Sequence, residues 1–338
     1  MGKLRVANIG GFGHSGEVFN NMIGMDEVEV VALAGVYEGE SYNGLRGHEV
    51  CKGGVEEFDD YKEMLKKVKP DVVIVSTRLD RISHVCIDAA RSGCHLIVEK
   101  PLALDRGQLK KLHKTVKDKN VQLMAMLSMR SFPHFMAAKK VYESGVIGEA
   151  VLLNGRKSYK WGTRPDWFGE KDKYGSTIGW VGIHAFDFMN FVTELEFTKV
   201  AAMQSNFCHP ERKDCQDNCG LVLELSNGGH ATVSVDYCRV DSAPTHGDDW
   251  LRVVGTKGVL EATGVTDSCV VISEDKGPYE VELPEADKIY KNFLLSLLGK
   301  EKMKIKASVP FMLTDVCLYA NESAESDKVL KIKRGCWD

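Results

Sequence analysis

The sequence predicts an α/β chain of two domains: a doubly wound parallel sheet, then an α+β domain built on an antiparallel sheet. Three observations predict it. Near-continuous apolar runs alternate with amphipathic segments from residue 4 to about residue 127. A glycine-rich turn follows the first of those runs. Beyond residue 198, strand-like runs follow one another with hairpin signals between them, as in Asn227-Gly228-Gly229 and Thr256-Lys257-Gly258. A length of 338 residues suits two domains of ordinary size.

In the first half, apolar strands are expected at 4–10, 28–35, 71–77, 94–100 and 121–127. Helices are expected from about His14 and at 61–67, 82–91 and 108–117. Strands that are apolar on both faces imply a parallel sheet covered by helices on both sides. The second half opens with a helix at 134–143 and a charged, aromatic stretch at 149–175, followed by a helix over 174–191. Strands then dominate at 199–207, 219–237, 249–263 and 268–274, and helices at about 285–298 and 309–325 close the chain. The expected division is 1–127 for dinucleotide binding and 128–338 for substrate binding and oligomerisation.

Composition narrows the function classes. Hydrophobic residues make up 43% and charged residues 27%, a globular balance. A net charge of −4 argues against nucleic acid as a partner, and the lysine-rich run at 110–120 reads as a solvated helix face. No apolar run approaches the roughly 18 residues of a membrane span, and no secretory signal precedes the first strand, so a cytoplasmic location is expected. The ten cysteines are then expected as free thiols. Cys208, His209, Cys215 and Cys219 lie close together but lack the paired C-x2-C spacing of structural zinc sites. Their flanks read as two strands of a hairpin, so an ordinary connection and no metal site are expected.

The glycine turn carries the first chemical signal. Gly11-x-Gly13-x-x-Gly16 follows a buried strand and opens a helix, the context a dinucleotide fingerprint requires. Gly11 is expected to make the tight turn, Gly13 to admit a pyrophosphate and Gly16 to let the helix pack closely. Phe12, His14 and Ser15 complete the cradle, whose free N–H groups favour phosphate. The acid that binds the ribose is expected about 20 residues on, where this chain has Gly35. Glu38 is the nearest carboxylate, and NAD and NADP both stay open.

Two further segments carry chemistry. Glu99-Lys100-Pro101 stands at the carboxyl end of a parallel strand, where open α/β sheets bind ligands. A lysine there can have its pKa lowered toward acid–base use. On the buried helix at 174–191, Trp180, His184, Asp187 and Phe191 fall on one α-helical stripe. An unperturbed histidine titrates near working pH, which makes His184 a candidate acid–base group. Asp187 is a candidate to face the substrate beside it, although a role bonding neighbouring backbone is preferred. Trp180 offers a flat surface to a sugar ring. In the irregular stretch before this helix, Tyr159, Trp161, Arg164, Asp166 and Trp167 are candidate substrate contacts.

These motifs resemble the Gfo/Idh/MocA family of oxidoreductases over nearly the whole chain. The resemblance rests on the glycine turn, the segments 75–104 and 145–150, "GIHAFD" at 182–187 and "VVGTKGVLEA" at 253–262. It implies a Rossmann domain followed by a domain with a large, mainly antiparallel sheet that packs against a partner subunit, in a homodimer or homotetramer. It also implies hydride transfer between NAD(P) and a hydroxyl carbon of a sugar or cyclitol. Lys100 then handles the hydroxyl proton, His184 is the second acid–base group, and Ser76, Thr77, Glu99 and Arg130 line the cofactor. The family's usual Asp one turn before the histidine is Trp180 here. That departure keeps two other readings open: a redox-assisted lyase or glycosidase, and a dinucleotide-binding regulator.

Overall fold

The computed structural model describes residues 2–333, 335 and 337. Two compact units make up the chain: residues up to Met126 with Lys288–Thr314, and Leu127–Asp287 with the segment from Asp315.

The first unit alternates strand and helix: β1 (Leu4–Ile9), α1 (Ser15–Met22), β2 (Val28–Ala34), α2 (Asn43–Arg46), β3 (Glu56–Phe58), α3 (Tyr61–Val68), β4 (Val72–Val75), α4 (Leu79–Arg91), β5 (His95–Val98), α5 (Arg106–Asp118) and β6 (Leu123–Ala125). All six strands are parallel, in the order β3-β2-β1-β4-β5-β6. This is the doubly wound order, and its switch point lies between β1 and β4. Every residue of β4 is buried, which explains why Val72–Val75 carries no polar alternation. Arg5 ties β1 to the start of β4, its backbone N–H donating to Asp71 Oδ2 at 2.8 Å.

The second unit contains α6 (Pro133–Glu143), β7 (Ala150–Lys160), α7 (Lys171–Tyr174), α8 (Ile183–Thr193), β8 (Phe197–Ser205), β9 (Asn218–Leu225), β10 (His230–Arg239), β11 (Gly247–Gly255), β12 (Gly258–Thr263), β13 (Ser268–Ser273) and β14 (Lys276–Glu280). The chain then forms α9 (Ile289–Leu297), α10 (Ser308–Ser326) and β15 (Leu330–Lys331). Nine strands form one sheet in the order β14-β13-β12-β11-β7-β10-β9-β8-β15. Its pairs are antiparallel except β7 with β10. The sheet centres on β7, whose charged residues disguise a strand in the sequence. Helices α6 and α8 pack on it. A Cβ on Gly155 of β7 would meet the terminal methyl of Met189 on α8, which would have to move aside.

Three differences from the sequence reading have physical causes. The segment carrying α9, read with the second half, belongs to the first unit. Phe293 and Leu294 of α9 join Val6, Phe19 and Ile74 in one core, a tertiary contact that local pattern cannot reveal. Strands β3 and β14 were not expected, being short and mostly exposed. The helix at 174–191 is not uniformly α: Ile178–Gly182 winds as a π-helix that runs into α8. Wider i→i+5 turns of this kind often mark functional sites, and here one alters the spacing between Trp180 and His184.

Among the described residues, no helix is long and apolar enough to cross a membrane, and the nine cysteines are free. Phe293→Ala removes a ring only 1% exposed. It is expected to destabilise the protein by about 3–5 kcal/mol. Denaturant unfolding measures this, and a loss below about 1 kcal/mol would show that α9 is dispensable to the first core.

Candidate active site

In the first unit, the carboxyl ends of β1, β4 and β5 bring the sequence-predicted residues together. Gly10 and Gly13 hold positive φ, +89° and +109°. A Cβ on Gly10 would meet Ser76 and one on Gly13 would meet the Glu99 carboxylate, so neither position tolerates a side chain. The tight turn therefore falls on Gly10 rather than Gly11. Gly11 is needed for space instead, because a Cβ there would collide with Ser41. A Cβ on Gly16 would meet nothing, so the close packing expected of it is not its role.

The turn is stitched to the neighbouring strands. Phe12 N–H donates to Ser76 O at 2.9 Å, and Ser76 Oγ donates to Phe12 O at 2.5 Å. Ser15 Oγ donates to Asn8 Oδ1 at 2.7 Å, which commits that hydroxyl to the turn itself. Glu99 is fully buried. Its Oε2 accepts the His14 backbone N–H at 2.8 Å and lies 2.7 Å from His14 Nδ1. Its Oε1 accepts the Lys100 N–H at 2.9 Å and lies 3.9 Å from Lys100 Nζ. Burial opposes ionisation of Glu99, but the charges of His14 and Lys100, with their hydrogen bonds, hold its carboxyl below the ordinary value. Lys100 is 1% exposed, so it is not a surface lysine paired to its neighbour.

The acid that folds back beside the turn is Glu40, not Glu38. Glu38 is exposed. Glu40 accepts from Thr77 Oγ1 at 2.5 Å and from Val36 N–H at 2.9 Å. Sequence spacing favoured Glu38 because it is nearer to β2. The turn at Tyr37–Glu40, closed by the Glu40 N–H on Tyr37 O at 3.2 Å, points the later residue inward.

In the second unit, His184 and Asp187 are buried on α8. Asp187 Oδ1 accepts from Arg130 Nε at 2.6 Å, and Arg130 Nη2 donates to Asn190 Oδ1 at 3.2 Å. The Arg130 guanidinium also lies over the Phe191 ring, 5.3 Å from its centroid. Arg130, expected along the cofactor, is thus engaged on α8. Asp187 is held by a side-chain cation rather than by the backbone expected for it.

The aromatic stretch folds into a cluster around two residues that sequence reasoning passed over, Phe168 and Tyr237. Arg164 lies over both rings, at 5.7 and 5.0 Å. Trp161 meets Tyr237 edge-on at 5.3 Å, and Tyr159 stacks on it at 6.4 Å. Trp167 and Trp180 pack against Phe168 at 4.7 and 6.2 Å. Asp166 is exposed and pairs with Arg212 at 2.8 Å, away from this cluster. A second buried lysine was also missed: Lys157 Nζ donates to Asp249 Oδ1 at 2.5 Å and lies 4.4 Å from the Tyr159 centroid. Burial would lower its pKa, but Tyr159 and Asp249 hold it above the ordinary lysine value. Its one signal is the i, i+2 spacing of Lys157 and Tyr159 on a strand, which puts both on one face.

A fingerprint turn at the switch point of a doubly wound sheet, with a buried lysine just past β5, defines an α/β protein of the dinucleotide-binding class. The chain belongs to the GFO/IDH/MocA oxidoreductase family. That family's NAD-binding Rossmann domain matches residues 4–127, and its C-terminal domain matches residues 135–261. The chain is 31% identical over 158 residues to levoglucosan dehydrogenase of Pseudarthrobacter phenanthrenivorans, covering 45% of this chain and 40% of that protein. It is 26% identical over 220 residues to inositol 2-dehydrogenase of Rhizobium meliloti, covering 64% and 61%. The match thus spans less than two thirds of either relative. A solved structure of a Thermotoga maritima protein described as an oxidoreductase is similar over 97% of this chain and 100% of that one, with 30% identity and a TM-score of 0.93.

Burial pushes the Asp187 carboxyl up from 3.8 to about 6, and Arg130 offsets this only in part. Folded Asp187 therefore keeps its proton to higher pH than the unfolded chain does. Its contribution to stability is fully present below the unfolded value and is lost as pH rises through about 6. Wild type is expected to lose stability relative to Asp187→Asn as pH rises from about 4 to 6. Denaturant titrations across that range test this, and parallel pH dependence in the two proteins would contradict it.

Proposed function

We propose that this chain is an NAD-dependent dehydrogenase acting on a hydroxyl carbon of a sugar, cyclitol or related polyol. The observation that carries the proposal is the Glu99 carboxylate, which binds the start of the glycine-turn helix and the Lys100 backbone together at one strand edge. A buried lysine–carboxylate pair costs several kcal/mol per ion to desolvate. That cost is reasonable where the lysine performs chemistry.

The residues fit a dinucleotide. Gly11, Phe12, Gly13 and His14 form a turn whose backbone a ligand can approach closely, with Ser76 and Thr77 beside it. Glu40 supplies the acid that bonds a ribose diol and repels a 2′-phosphate, which favours NAD over NADP. When bound, NAD supplies the hydride acceptor. Lys100 then binds the substrate hydroxyl and takes its proton as the carbon loses hydride, and in the reverse direction it returns that proton to the carbonyl oxygen. His184 is assigned as the second hydroxyl ligand or acid–base group. Tyr159, Trp161, Arg164, Trp167 and Trp180 are assigned to shaping the substrate side, with Phe168 and Tyr237 as their support.

The names of the relatives, a levoglucosan dehydrogenase and an inositol 2-dehydrogenase, support the substrate class. A homo-oligomer through the large sheet is part of the same proposal. Val151, Met203, Val222, Val270 and Ile272 are exposed on its strands. Their neighbours Leu221, Leu223 and Val271 are buried, so these apolar side chains stand on the open face of the sheet, among polar ones such as Glu261 and Thr232.

The test is a spectrophotometric screen of sugars, cyclitols and sugar acids with NAD and NADP, repeated with Lys100→Ala. Reduction of NAD in preference to NADP by at least one polyol is expected. Lys100→Ala is expected to lower kcat at least 10²-fold while the dissociation constant for NAD changes only a few-fold. An unchanged kcat in that variant would remove Lys100 from the mechanism.

A further inference from the structure

The connection between β8 and β9 was read as ordinary because Cys208, His209, Cys215 and Cys219 lack a zinc-like spacing. In the fold those four separate. The His209 ring stacks on Trp161 with centroids 4.2 Å apart, and its Nε2 lies 3.3 Å from Tyr237 O. Cys215 and Cys219 are buried, and Cys215 Sγ lies 3.8 Å from Thr177 Oγ1. Cys208 instead meets a cysteine from the far end of β10. The Sγ atoms of Cys208 and Cys238 are 3.6 Å apart, and both residues are exposed.

A third ligand type stands beside them. One oxygen of the Asp217 carboxylate and the two sulfurs all lie within 4.8 Å of one another. Asp217 is fully buried. Its Oδ2 accepts the backbone N–H groups of Phe207 at 2.9 Å, of His209 at 2.8 Å and of Cys208. Its Oδ1 accepts from Asn218 Nδ2 at 2.7 Å. Although burial opposes it, this donor set holds the carboxyl below its ordinary value, so it is a fixed negative charge. Antiparallel pairing keeps the cluster in place: the Tyr237 N–H donates to Asp217 O at 2.8 Å, and Cys238 follows directly.

The sulfur spacing separates the possible occupants. A disulfide needs its sulfurs about 2.05 Å apart. Two thiolates on a tetrahedral zinc, each at about 2.3 Å, stand about 3.8 Å apart. The observed 3.6 Å, at which Cys238 Sγ donates to Cys208 Sγ, excludes the first arrangement and is close to the second. We propose that Cys208, Cys238 and Asp217 form a binding site for a thiophilic divalent cation of the zinc class, with solvent completing the coordination.

The test uses Co²⁺ as the probe, on full-length protein kept reduced by a phosphine. One equivalent is expected to bind with a thiolate-to-cobalt charge-transfer band, and X-ray absorption is expected to show two sulfur neighbours with lighter donors. Cys208→Ser and Cys238→Ser are each expected to abolish the band and leave NAD binding unchanged. Absence of sulfur ligation in the wild type would overturn the proposal. So would a band that persists unchanged in both variants, since other cysteines would then be the ligands.

Discussion

The arrangement of the first unit depends on one buried carboxylate. Glu99, just past the end of β5, meets the turn after β1 through His14 and its own chain neighbour through the Lys100 N–H. The same carboxylate explains a backbone requirement, since it occupies the space that a Cβ on Gly13 would need. Glycine, glutamate and lysine are therefore one constraint rather than three separate motif positions. A neutral side chain there would remove the negative charge that lies 3.9 Å from the buried Lys100 Nζ.

The second unit solves a related problem differently. Its helix α8 is buried on nearly every side, so each polar group on it must be satisfied internally. Arg130 serves Asp187 and Asn190 together, and Asp249 serves Lys157 on the sheet. With these cations fixed, the surrounding surface is aromatic: Phe168 and Tyr237 gather Tyr159, Trp161, Arg164, Trp167 and Trp180 around them. On the function proposed above, these aromatic side chains and the few fixed polar groups shape the substrate side.

Much of this was legible in the sequence, where local pattern governs the outcome. The parallel strands could be read because full burial removes polar residues from β4, and the glycine turn because backbone geometry excludes other residues. The lysine could be read because it sits beside a proline at a strand end. What escaped depends on contacts between distant segments. Glu40 displaced Glu38 through the closing of a loop, and Tyr237 became central only when β10 lay beside β7. Cys208 found Cys238 only through the pairing of β9 with β10. The π-wound turn at Ile178–Gly182 escaped because an α-helical wheel assumes the period it is meant to detect.

The central claim is that Glu99 couples the cofactor turn to the lysine. The most direct measurement is made on Glu99→Gln, which keeps the shape and removes the charge: the dissociation constant for NAD and the single-turnover rate of hydride transfer, both determined on the same folded protein. If one carboxylate organises both groups, NAD binding weakens about tenfold or more, in line with the loss of one charged hydrogen bond, and the rate falls with it. If NAD binding and the hydride-transfer rate both stay at wild-type values, the carboxylate is not the constraint on which the site depends.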